Sequence, residues 1–320
     1  MWACVVVVLA LCHLNHARLW IQDLLCSASL YWIPFVFVGL LATLRRIVRE
    51  RRIPPVVLVV LVAQAFLLYH VFRIARPYVS FARSTVVEQS ASTDLSVLYS
   101  HVDFSLDGLP TLVKEVSTAK PDLIVLVGEQ DGLEVALEAL PRYPGVARTP
   151  HTSPGGVLVL SGYPLEMDGE AFLGIEALPS VFAKVELPGQ ALLLGAMDLL
   201  PAGSQQDFFR SKVTSRRIAT LMRYAEEPRL VIGHFAATQF SPIVSMYTRQ
   251  VRLRSVMFNH GLLRTFDLTD PLIRVTLDNA FVSRDIQVTD FYPKTGISQR
   301  WLSFGFSLRI PRRSREKVTS

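Results

Sequence analysis

Two unbroken apolar runs near the front of the chain limit its possible folds more than any other feature. Ser27 to Leu44 holds 18 residues and Pro54 to Phe72 another 19, and neither contains Asp, Glu, Lys or Arg. At about 1.5 Å of rise per residue, a helix of either length roughly matches the ~30 Å hydrocarbon layer of a bilayer. A third run, Trp2 to Cys12, is shorter and reads either as a first span or as the core of a signal peptide. Residues 1–76 are therefore expected to form a membrane region of about three transmembrane helices. The mean hydropathy of +0.34 agrees with this, being too apolar for an ordinary soluble domain.

Charge divides the chain at the same place. Residues 1–85 carry nine of the 33 Lys and Arg and two of the 27 Asp and Glu, leaving 24 and 25 for the remainder. The overall pI near 9.4 thus belongs to the membrane region, and nucleic acid is not an expected partner, because that would need a basic folded domain. Arg45, Arg46, Arg49, Arg51 and Arg52, opposed only by Glu50, make the loop between the two long runs the most basic near the membrane. The positive-inside rule puts that loop in the cytoplasm, so the rest of the chain is expected in the periplasm or outside the cell. Arg73, Arg76 and Arg83 argue weakly for the opposite orientation. Cys4, Cys12 and Cys26 all lie in the membrane region, which denies the following domain both disulfides and thiolate metal sites.

Residues 77–93 read as a linker, and 309–320 as a solvated basic tail with anionic lipid as an alternative contact. Between them, short apolar runs alternate with amphipathic stretches. Strands are expected at Leu95–Val102, Leu123–Val127, Val157–Ser161, Ser180–Leu187, Ala191–Met197, Leu230–Phe235, Leu277–Val282, Ile286–Phe291 and Trp301–Leu308. Helices are expected at Leu109–Ala119, Leu133–Leu140 and Gln206–Glu226. Trp301, Phe291, Phe304 and Phe306 are assigned to the core of the closing strands. The pattern is that of an α/β domain, but periodicity alone does not choose among layouts.

Seven segments, in order along the chain, resemble the endonuclease/exonuclease/phosphatase superfamily, the deoxyribonuclease I-like fold. Gly233-His234-Phe235-Ala236 is similar to that family's Gly-Asp-Phe-Asn, with His234 and Ala236 at the Asp and Asn positions. Leu98 to Val102 resembles the opening strand ending in Asn-Val, with His101 at the Asn. Lys120 to Leu126 resembles the second strand, whose Gln-Glu falls on Val127 and Gly128. Gly156 to Leu165 is similar to Gly-x-Ala-x-Leu-Ser-Arg-x-Pro-Leu. Leu194 to Met197 resembles a strand ending in a catalytic His, here Met197. Leu277 to Ser283 resembles Ile-Asp-His-Val-x-Val-Ser, keeping Asp278 and placing Asn279 at the His; Ser298-Gln299-Arg300 takes the place of Ser-Asp-His.

The resemblance implies a two-sheet β-sandwich flanked by helices over residues 94–308, behind a membrane anchor of bacterial type. It also implies a chemistry: a divalent cation held by carboxylates, an activated water, and His and Asn donors toward the phosphoryl oxygens. Most of those residues are replaced, so the domain is expected to be catalytically degenerate and to need no cofactor. Its expected role is binding or envelope assembly, with the bilayer, an envelope protein, or a phosphate-bearing ligand held by Arg300 and the two His. The alternative is an active phosphoesterase with a rearranged Mg, Mn or Zn site built from His101, Glu129, His234 and Asp278, with a bulge aiming Glu129 inward. A serine-nucleophile site from Ser153 or Ser161 with His151 and Asp198 is disfavoured, since no Gly-x-Ser-x-Gly elbow is present.

Overall fold

The structure is a computed structural model. It describes Val6, Ala10 and residues 20–50, 54–79, 92–102, 108–149, 155–167, 178–261, 263–266, 275–295, 297–298 and 301–312. Helices α1 (Trp20–Ser27), α2 (Ser29–Glu50) and α3 (Pro55–Val79) come first. Then follow β1 (Ser92–Val102), α4 (Leu109–Ala119), β2 (Leu123–Gly128), α5 (Gln130–Ala139), β3 (Gly145–Arg148), β4 (Gly156–Ser161), β5 (Leu165–Met167), β6 (Ser180–Leu187) and β7 (Gln190–Asp198). The chain continues through α6 (Gln205–Tyr224), β8 (Arg229–His234), α7 (Pro242–Arg249), β9 (Arg254–Ser255), β10 (Asp278–Val282), β11 (Gln287–Lys294) and β12 (Ser303–Pro311).

The strands form two six-stranded sheets, ordered β11-β12-β1-β2-β4-β3 and β5-β6-β7-β8-β10-β9. Each sheet is mixed, with one parallel pair at its centre, β1 with β2 in the first and β7 with β8 in the second. Every second side chain of the central strands points between the sheets: Val97 and Tyr99, Val125 and Val127, Leu194 and Ala196, Leu230 and Ile232, and Phe304 and Phe306 share one buried cluster. The alternate residues face helices. Ile124 and Leu126 pack under α4 and α5, while Met197, Val231, Phe235 and Phe281 pack under α6 and α7. The expected sandwich flanked by helices is what forms.

Local chemistry fixes the helix ends. Ser204 caps α6 by accepting the Asp207 N–H at 3.1 Å, and Ser241 caps α7 by accepting that of Ile243 at 3.1 Å, with Pro242 in the first turn. Lys120 closes α4 in a left-handed conformation and returns its N–H to Val116.

Among the described residues two helices, Tyr31–Arg49 and Pro55–Tyr78, are long and apolar enough to cross a membrane. Apart from Val6 and Ala10, the Trp2 to Cys12 run lies outside the described residues. Three residues expected in the linker are helical. Pro77, Tyr78 and Val79 continue α3, and Tyr78 is buried in the inter-sheet core against Phe258, ring centroids 4.9 Å apart and perpendicular. The Asn259 and Gly261 N–H groups donate to the carbonyls of Pro77 and Tyr78, at 2.9 and 2.7 Å. On a second front, buried Asp23 of α1 accepts from the Ser241 hydroxyl, and the Thr238 hydroxyl donates to the Ser27 carbonyl at 3.0 Å. The domain is seated on its helices at both places.

Candidate functional site

Strand parity selects the side chains that meet at one end of the sandwich. Tyr99 and His101 extend the inward row of β1, Asp198 that of β7, His234 that of β8, and Asp278 begins that of β10. Cross-strand register brings them level: Asp198 lies beside His234 in the parallel pair, and His234 beside Asp278 in the antiparallel one.

Asp278 is the hub. It is fully buried, and its Oδ1 accepts the Tyr99 hydroxyl at 2.6 Å and lies 3.1 Å from His234 Nδ1. Its backbone N–H donates to the Thr265 hydroxyl at 3.0 Å, which holds the start of β10 in place. Its Oδ2 has no hydrogen-bond partner among the described residues. Burial pulls the His234 pKa down, but the hydrogen bond and charge of Asp278, helped by Asp198, outweigh it and leave the pKa raised. The two form a buried, hydrogen-bonded imidazole–carboxyl pair. Loss of hydration pushes Asp198 up to about 6 against the favourable charge of His234 and an N–H from Gly156. Burial and the neighbouring His234 charge lower His101 to about 3, so it stays neutral.

Aromatic rings close the mouth. Trp301 lies flat on His101, centroids 4.1 Å apart and planes 7° from parallel, and His234 stands perpendicular to Trp301 at 4.9 Å and to His101 at 5.6 Å. Phe266 packs against Trp301 from the side, centroids 4.5 Å apart. Trp301, expected in the core beside Phe304 and Phe306, instead precedes β12 and occupies the site.

Several sequence expectations are corrected here. Met197 and Asn279 do not face the site. Each lies one residue off the inward row: Met197 packs under α7, where the Tyr247 hydroxyl approaches its sulfur at 3.7 Å. Asn279 shares the outward parity of Phe281, and neither of its amide atoms has a partner among the described residues. Ala236, at a left-handed φ of 50°, also packs on the outer cluster. Asp198 is the residue that stands where Met197 was expected. Gln299, Arg300, His151 and Ser153 lie outside the described residues, and Ser161 sits at the far end of β4 from Gly156.

The same geometry tests the metal expected under the alternative. The β2 pairings run without a bulge to Gly128, and Glu129 is the exposed first residue before α5, so it is not aimed inward. Gly128 holds a φ of 143°, and a Cβ there would overlap the Val102 carbonyl, so no carboxylate side chain fits at the position that resembles the family's Glu. Among the described residues no three His, Cys, Asp or Glu form a metal-holding group. Asp278 Oδ1 already serves two donors, and Trp301 covers His101. These residues do not fit the expected cation.

No protein-family profile and no curated protein sequence matches the chain. Solved structures do. Humanized D. rerio TDP2 matches with a TM-score of 0.53 at 12% identity, over 67% of this chain and 98% of that one. The chain has the endonuclease/exonuclease/phosphatase fold. A mannosyl-6-phosphatase of Bacteroides thetaiotaomicron gives a TM-score of 0.51 at 14% identity, over 67% of this chain and 99% of that one. The human Nocturnin catalytic domain with bound sulfate gives 0.51 at 15%, over 67% and 94%. At such identities the likeness concerns the fold, and the site must be read from its own residues.

Proposed function

We propose that the protein is a membrane-anchored, multi-pass member of this fold whose domain faces away from the cytoplasm and binds rather than hydrolyses. Its partner on this reading is an envelope protein or a phosphate-bearing ligand. The observation that carries it is the occupation of Asp278, the one acidic residue retained at a position resembling the family's: Tyr99 and His234 claim it and Trp301 covers its surroundings. Sites of this chemistry act as units, so loss of several members leaves little activity. The full-length protein in detergent, offered phosphomonoesters and phosphodiesters with Mg²⁺, Mn²⁺ or Zn²⁺, is expected to give no turnover above a Tyr99→Phe, Asp278→Asn control. Turnover abolished in that control would overturn this reading. Carbonate extraction and protease protection of the domain in sealed vesicles test the anchoring and orientation separately.

One observation favours a second reading. Asp198, pushed up to about 6 by burial, lies beside His234, whose pKa is raised, and shifted pairs of this kind gather at functional sites. Under that reading Asp198→Asn abolishes turnover while thermal unfolding stays cooperative.

A further inference from the structure

A cavity of about 380 Å³ lies between the end of α3 and the outer side of α7, lined by Arg73, Tyr78, Gln239, Thr248 and Arg249 among others. None of the Tyr99, His101, Asp198, His234 or Asp278 side chains lines it, so it is distinct from the candidate site. Two arginines from different elements, both exposed to solvent, line it, and no carboxylate of the described residues does. Neither arginine has an ion-pair partner among the described residues. Burial and the like charge of Arg73 both lower the pKa of the Arg249 guanidinium. Gln239 lies on the same wall and is buried. Like charges brought together at a polar wall without a counter-ion are what an absent anion would neutralise.

The height of the cavity indicates the type of anion. On the proposed reading of α3 as a span, on which this step rests, Pro55 to Phe72 covers about 27 Å and places Arg73 at the level of the headgroups. Guanidinium groups pair with phosphate through two parallel N–H bonds. We infer that Arg73 and Arg249 bind one phosphate group in this cavity, at the seam between the membrane helices and the domain. A lipid headgroup and a free phosphate share that chemistry.

Full-length protein is reconstituted into vesicles of phosphatidylcholine mixed with phosphatidylglycerol, re-extracted, and its retained lipid counted by native mass spectrometry. Inorganic phosphate is titrated calorimetrically into the detergent-purified protein in parallel. Arg73→Ala and Arg249→Ala are expected to lower retention of phosphatidylglycerol about tenfold, the effect of one lost charge-assisted hydrogen bond. Arg249→Lys should retain part of the binding, and Arg217→Ala, exposed on α6, should change nothing. Thermal unfolding of each variant shows whether it is folded. Loss confined to the lipid assigns a headgroup, and loss confined to the calorimetric signal assigns a soluble phosphate; either upholds the site. Equal phosphatidylglycerol retention in all folded variants, with no phosphate heat, overturns it, while carbonate-extractable protein would overturn the span reading instead.

Discussion

At the scale of single residues, the site is a buried polar hub, and its members should have unequal energetic weight. Removing Asp278 leaves the His234 ring and the Tyr99 hydroxyl without their shared partner in a dry environment, whereas removing the Tyr99 hydroxyl leaves His234 still paired. Breaking one side of a buried pair costs about 3–5 kcal/mol, and losing one hydrogen bond about 1–3. Asp278→Ala should therefore destabilise the protein by about 3–5 kcal/mol and Tyr99→Phe by less than half of that, measured by denaturant unfolding. Equal losses would mean that the His234 contact contributes nothing. Which residues enter this hub was only partly legible in the sequence. His101, His234 and Asp278 stand out as polar groups at the ends of apolar runs. Asp198 and Met197 exchange roles because β7 is covered on both faces, so Leu192, Leu194 and Ala196 look no different from Leu193, Gly195 and Met197. A strand without polar alternation conceals which of its two rows meets the cleft.

At the scale of elements, strong periodicity and end signals were read well and short pieces were not. The span of α4 is the expected one, and α6 starts one residue early. The sequence reading assigns no element to the eight-residue α7, although Ser241 before Pro242 is a helix-start signal. That cap also clamps α1. Ser241 accepts the Ile243 N–H while giving its proton to Asp23, whose carboxyl is 2% exposed and pushed up to about 6 by loss of hydration. A folded-state pKa raised above the ordinary 3.8 means the contribution is full below pH 3.8 and lost as pH rises through 6. Asp23→Asn keeps an oxygen to accept from Ser241 and cannot ionise. Its stability should therefore exceed that of the wild type by up to about 3 kcal/mol above pH 6, and the gain should shrink toward pH 4. Thermal unfolding of both proteins from pH 4 to 8 measures this, and a gain independent of pH would exclude ionisation of Asp23 as its source.

At the scale of the whole molecule, the boundary between the N-terminal helices and the domain is a packed seam. Composition placed the change near residue 77, since there the apolar run gives way to Pro, Arg and Ser. It did not reveal that Tyr78 is a core residue, because a single aromatic after an apolar run looks the same whether it points to lipid or to protein. In the structure Tyr78 joins Val256, Met257 and Phe304 between the sheets, while Asp23 and Ser27 bond the turn and cap before α7. Losing a buried aromatic side chain costs about 3–5 kcal/mol, a large share of the 5–15 kcal/mol that ordinarily holds a domain folded. A chain beginning at Ser92 loses both contacts at once. It should unfold at markedly lower temperature than full-length protein in the same detergent, and a chain beginning at Arg73 should regain part of the difference by restoring Tyr78. Tyr78→Ala in the full-length protein should lose about the same part. If the Ser92 chain melts with the full-length protein, the seam carries no stability and the domain is merely tethered. If only the Arg73 chain recovers, the α3 contact outweighs the Asp23–Ser241 clamp in fixing how the domain is held over the membrane.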